Sequence, residues 1–129
     1  MIDRRTMVAA GLAATLGGTS FAFEGETGMY GMIGKITAVP GQRDALAQLL
    51  LSGSAGMPGC LSYVVSEALK DPAALWVAEA WDSKESHAAS LAIPAVRDAI
   101  AKARPLIAGF DTAAELKPIG GIGLGSGSR

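Results

Sequence analysis

The stretch Cys60–Leu91, "CLSYVVSEALKDPAALWVAEAWDSKESHAASL", decides the fold. Its first ten residues alternate, with Leu61, Tyr63 and Val65 on one side, as a half-buried strand does. Asp71-Pro72 is a turn dipeptide, and "LWVAEAWD" (Leu75–Asp82) returns as a second strand. Two such runs around a short turn form an antiparallel hairpin. Asp82 or Ser83 then caps a helix, and Glu85 stands where a capping-box acid belongs if Asp82 is the cap. The strand-to-helix switch around Asp82 therefore fixes a β-β-α core, and the flanking sequence completes it.

Upstream, "MYGMIGKITAV" (Met29–Val39) reads as a strand, with Tyr30, Met32 and Ile36 on one side. Pro40-Gly41 ends it. Leu46, Leu49, Leu50 and Gly53 then recur at i, i+3, i+4, i+7, an amphipathic helix stopped by Gly56 and Pro58-Gly59. Downstream, Pro94 suits the first turn of a further helix. That helix turns Val96, Ile100 and Ala103 inward and Arg97, Lys102 and Arg104 mostly outward, and Pro105 ends it. "GFDTAAELKPI" (Gly109–Ile119) is the last strand. The order β-α-β-β-α-α-β predicts an α+β domain of the ferredoxin-like kind, with a four-stranded antiparallel sheet. Its helices suffice for one sheet face. The other face carries apolar residues with nothing left in the chain to cover it, so a second copy is expected there, giving a homodimer.

The ends differ from this domain. "MIDRRTMVAAGLAATLGGTSFAFE" has paired Arg4 and Arg5, an apolar run from Met7 to about Gly18, and small Ser20 and Ala22 before a possible cleavage point. This is the pattern of a twin-arginine export signal; the alternative is an N-terminal helix of the domain, for which the run is Gly-rich. The expected organisation is a signal over 1–22, a linker over 23–28, the domain over 29–119 and a flexible Gly/Ser tail over 120–129. The expected location is periplasmic or extracellular. The apolar run is short for a membrane span, so no stable span is expected once the signal is cleaved. The formal net charge of −1 gives no basic surface for nucleic acid. A single Cys, Cys60, excludes an internal disulfide, and no Cys/His cluster of zinc type exists.

The pieces "VPGQRDAL" (Val39–Leu46), "PGCLSYVV" (Pro58–Val65), "WVAEAWDSKESHAASL" (Trp76–Leu91) and "PAVRDAIAKARPLIAGF" (Pro94–Phe110) together resemble the antibiotic biosynthesis monooxygenase superfamily, in its quinol-monooxygenase-like group. The resemblance spans nearly the whole domain. It implies a dimeric α+β barrel and a monooxygenase that acts on quinol-like or phenolic aromatics with O₂ and needs no cofactor or metal. A phenolate gives up an electron to O₂ far more readily than a phenol. Such a site therefore needs an apolar pocket, a base and a partner for the anion. Many quinol monooxygenases of the family place a His nine residues after the strand-three Trp. Here that position is Ser90, and the only His of the chain, His87, lies one turn earlier. The haem-degrading branch uses an Asn on its first strand, and this chain has no Asn at all.

His87 and Glu79 are the expected acid–base pair. An imidazole ordinarily titrates near neutrality, which suits proton transfer. Glu79 alternates with Val77 and Trp81, so it shares a strand face with two large apolar groups, where a carboxylate is costly unless paired. Trp81, Tyr63, Ser90 and Leu91 are the expected substrate-binding residues. Read as structure alone, His87 is an ordinary helix residue, Glu79 a strand charge paired with Arg97 or Lys35, and Tyr63 a core or interface residue. Cys60 then reads as an inert small hydrophobe. The alternative function is a non-catalytic dimeric module that binds a small apolar ligand.

Overall fold

The computed structural model describes residues 28–124. The expected export signal, most of the linker and the end of the tail lie outside these residues. Strands β1 (Tyr30–Ala38), β2 (Cys60–Glu67), β3 (Ala74–Trp81) and β4 (Ile107–Leu116) alternate with helices α1 (Arg43–Gly53), α2 (Lys84–Ser90) and α3 (Pro94–Ala103). The sheet order is β2-β3-β1-β4, and every neighbouring pair is antiparallel. This is the expected ferredoxin-like α+β arrangement. The last strand starts at Ile107 rather than Gly109. A 3₁₀ turn over Arg104–Leu106 absorbs Pro105, and the strand begins directly after it.

Register assigns the faces. Tyr30 pairs with Trp81, Met32 with Glu79, Gly34 with Val77 and Ile36 with Leu75. Directly opposed residues share a face, so these eight look toward the helices. Tyr63 and Val65, opposite Glu79 and Val77, join them. The alternation read through Leu61 is interrupted, because the register slips between Cys60 and Ser62. Leu46 from α1 and Ala103 from α3 close over Ile36, Ala38, Leu75 and Val77 to form the core. Gly53 lets the two helices touch: a Cβ there would come within 2.5 Å of the Ala99 Cβ.

The opposite face carries Ile33, Trp76, Val64, Ala114 and Leu116 by the same register. Val64 is 50% and Leu116 47% exposed. Lys35 sits among them, 3.6 Å from Asp71 and 3.7 Å from Asp111. A bulge makes this possible. Lys35 pairs with Thr112 and Ile36 with Phe110, so Asp111 is the extra residue, and it accepts a hydrogen bond from the Thr37 hydroxyl at 3.1 Å. Among the described residues no helix is long and apolar enough to cross a membrane.

Candidate active site

A cavity of about 480 Å³ lies between the helix-facing side of the sheet and helices α1 and α3. Met32, Leu50, Met57, Tyr63, Glu79 and Ile100 are among its walls. It follows from the sequence locally. Gly34 and Ala113 put almost no side chain on the sheet floor, while Leu49, Leu50 and Val96 supply apolar walls from the helices.

Glu79 is the acidic group in this wall. Its Oε1 accepts a hydrogen bond from Trp81 Nε1 at 2.9 Å. His87 Nε2 stands 3.9 Å from the same oxygen. That distance suits an ion pair with a protonated imidazole and is too long for a hydrogen bond. The imidazole itself is boxed by aromatic rings: Tyr30 and Trp81 each lie 5.4 Å from it, centroid to centroid, with Trp81 edge-on. Helix α2 sets this position. Ser83, not Asp82, is its N-cap, and the Ser83 hydroxyl accepts from the Ser86 N–H at 3.0 Å.

The surrounding groups are biased toward their neutral or paired forms. Burial, with the nearby Glu79 charge, holds the Tyr63 phenol well above its ordinary value of 10.0, so Tyr63 stays a hydrogen-bond donor. Burial does the same for Tyr30, whose hydroxyl donates to Glu115 Oε2 at 2.6 Å. That bond, with Lys84 3.6 Å away, holds the Glu115 carboxyl below its ordinary value. Burial pushes the Cys60 thiol up, and its Sγ donates to the Ser62 carbonyl.

The structure thus brings His87, Glu79 and Trp81 into one cluster and sets Tyr63 across from Glu79. The imidazole is not itself on the cavity wall; Glu79 stands between them. Trp81, 1% exposed, reaches the cavity only through its hydrogen bond to Glu79. Ser90 and Leu91 are not on the wall either. The Ser90 hydroxyl is buried and donates to the His87 carbonyl at 2.6 Å, which is the local option a helical Ser ordinarily takes. Leu91 is the C-cap of α2 and 50% exposed. Lys35, one of the two partners expected for Glu79, lies on the opposite face. Sequence reasoning misses Tyr30. Its signal is the side it shares with Met32 and Ile36, but only the register places it opposite Trp81. Among the described residues no three His, Cys, Asp or Glu side chains gather to hold a metal ion.

The sequence profile of the antibiotic biosynthesis monooxygenases matches residues 29–102, more than half of the chain. The chain belongs to this family. A crystal structure of a candidate antibiotic biosynthesis monooxygenase from Chloroflexus aurantiacus J-10-fl is 60% identical, with a TM-score of 0.74, covering 75% of this chain and 99% of that one. Family candidates from Deinococcus radiodurans (27% identity, TM-score 0.60, covering 72% and 95%) and Caulobacter crescentus CB15 (20%, 0.66, covering 77% and 99%) are also similar. The Caulobacter likeness bears on fold alone. A search of curated proteins finds no match. In this family member the site combines one apolar cavity with one carboxylate braced by Trp81 and His87.

Proposed function

We propose that this family member is a monooxygenase of quinol-like or phenolic aromatics that draws both electrons from its substrate. The observation that carries the reading is Glu79, which lines the apolar cavity while Trp81 and His87 hold its Oε1 from behind. A hydroquinone entering the cavity gives a phenolic proton to the Glu79–His87 pair. The resulting phenolate, with Tyr63 as hydrogen-bond donor, passes electrons to O₂. One oxygen atom adds to the ring, the other leaves as water, and the product is the hydroxyquinone. The arrangement favours this step because the pair is only about one-fifth exposed, and a proton acceptor and a donor to the anion act more strongly where water is partly excluded.

Oxygen uptake by the mature protein against a panel of hydroquinones tests the reading. A positioned general base contributes roughly 10²–10⁴ in rate. Glu79→Gln should lower turnover of an active quinol by at least about 100-fold and His87→Ala by at least about 10-fold, each with an intact fold. Full activity in Glu79→Gln removes the assignment. Tight quinol binding with no oxygen uptake supports the non-catalytic ligand-binding module instead.

Two further elements belong to the proposal. The open sheet face, with Val64, Ala78, Ala114 and Leu116 exposed, suits burial against a second copy, and light scattering should give twice the chain mass. Arg4-Arg5 and the following apolar run suit twin-arginine export, and mass spectrometry of exported protein should find a chain beginning near Phe23.

A further inference from the structure

The cavity has two polar ends of opposite charge. Glu79 and Tyr63 stand at the level of Met32 in β1. Arg104, the one cation on the wall among the described residues, follows α3 at the far end, where Val39 N–H donates to the Leu106 carbonyl and Ala38 pairs with Ile107. From Met32 to Ala38 is about 20 Å of strand. Between the ends the wall is apolar, and Phe110, 67% exposed, stands on it. Lys35, Arg43, Lys84 and Lys102 each have a carboxylate within 4.0 Å. Among the described residues Arg104 has none.

We infer that Arg104 selects substrates bearing an anionic group at the end of a substituent, with the ring at the Glu79 end and the anion at the Arg104 end. This rests on the aromatic-substrate reading and deepens it: the favoured class is a hydroquinone whose side chain ends in a carboxylate. An unsubstituted quinol leaves the guanidinium facing water. The preference is modest for two reasons. Arg104 is exposed, where an ion pair is screened, and it follows the C-terminal end of α3, whose carbonyls already favour a cation.

Titration calorimetry under nitrogen, where no oxygenation occurs, tests this. The probes are a hydroquinone carrying an alkyl chain long enough to span from the Glu79 end to the Arg104 end and ending in a carboxylate, and its methyl ester. The wild type should bind the acid about three-fold more tightly than the ester at low salt, and added salt should erase the difference. Arg104→Gln should bind both equally, and Arg104→Lys should keep part of the preference. Equal binding of acid and ester by the wild type, or a preference that survives in Arg104→Gln, overturns the inference while the oxygenase reading stands. Failure of both probes to bind overturns both. Undiminished oxygen uptake by Glu79→Gln, with the acid preference intact, overturns the reaction and leaves the selectivity.

Discussion

Gly59→Ala tests how the site is anchored. Gly59 lies in the turn before β2 at φ +86°. Its carbonyl accepts from the Asp82 N–H at 2.8 Å, which ties the start of β2 to the loop before α2. A Cβ here would fall 2.5 Å from Ser86 Oγ, 2.6 Å from Ser86 Cβ and 2.8 Å from Asp82 Oδ1. Two costs combine. A left-handed backbone costs a non-glycine residue about 1–2 kcal/mol, and overpacking typically adds about 1–3 kcal/mol. Gly41 is the control. It has φ +79°, but a Cβ there would meet nothing within 4 Å, so Gly41→Ala carries the backbone cost alone. For a domain near 100 residues each kcal/mol lowers Tm by about 4–8 °C. Gly59→Ala should therefore melt roughly 8–40 °C lower than wild type, and clearly below Gly41→Ala. Because Ser86 belongs to the cap that seats His87, quinol turnover should also fall at temperatures where the variant remains folded. Equal melting of the two variants would refute the steric argument.

Other outcomes follow from the same contacts. Tyr30 and Tyr63 are the only tyrosines of the chain, and burial raises both above 10.0. No tyrosinate absorbance should appear just above pH 10 while the fold holds. The unfolded chain ionises first, so stability should fall as pH rises past 10, and early tyrosinate formation in the folded chain would contradict the burial. Glu115 is shifted the other way, below 4.5. Its contribution is present above that pH and is lost as pH falls through the lowered folded value. Glu115→Gln should thus melt slightly lower than wild type at neutral pH and equally at strongly acidic pH; the difference is small because the carboxyl is half-exposed. Val64→Asp should shift light scattering toward the monomer with little loss of secondary structure, since Val64 is half-exposed on the open face. Val65→Asp should instead unfold the chain, because Val65 packs against the core.

The element order was legible because each segment carries its own periodicity. The Leu46, Leu49, Leu50 stripe and the Val96, Ile100, Ala103 stripe identify α1 and α3 without reference to anything else in the chain. The opposite orientation of Trp76 and Trp81 also follows from strand period alone. Which of the two faces the helices does not, because a period of two says that neighbours diverge and not where either points. Antiparallel pairing decided that, by setting Tyr30 beside Trp81 and Met32 and Tyr63 beside Glu79. The bulges escaped the sequence for the same reason: Asp111 is extra only relative to β1. The neighbourhood of His87 was equally non-local. Its helix was readable from the cap, and its grouping with Glu79 and Trp81 from their shared position near Asp82. The docking angle of a seven-residue helix is fixed by Gly59, Ser86 and the Tyr30 ring, which lie on three separate elements. That angle put Glu79, rather than the imidazole, on the cavity wall. Local sequence determines which side chains an element carries; the distance between two elements is set by packing among residues far apart in the chain.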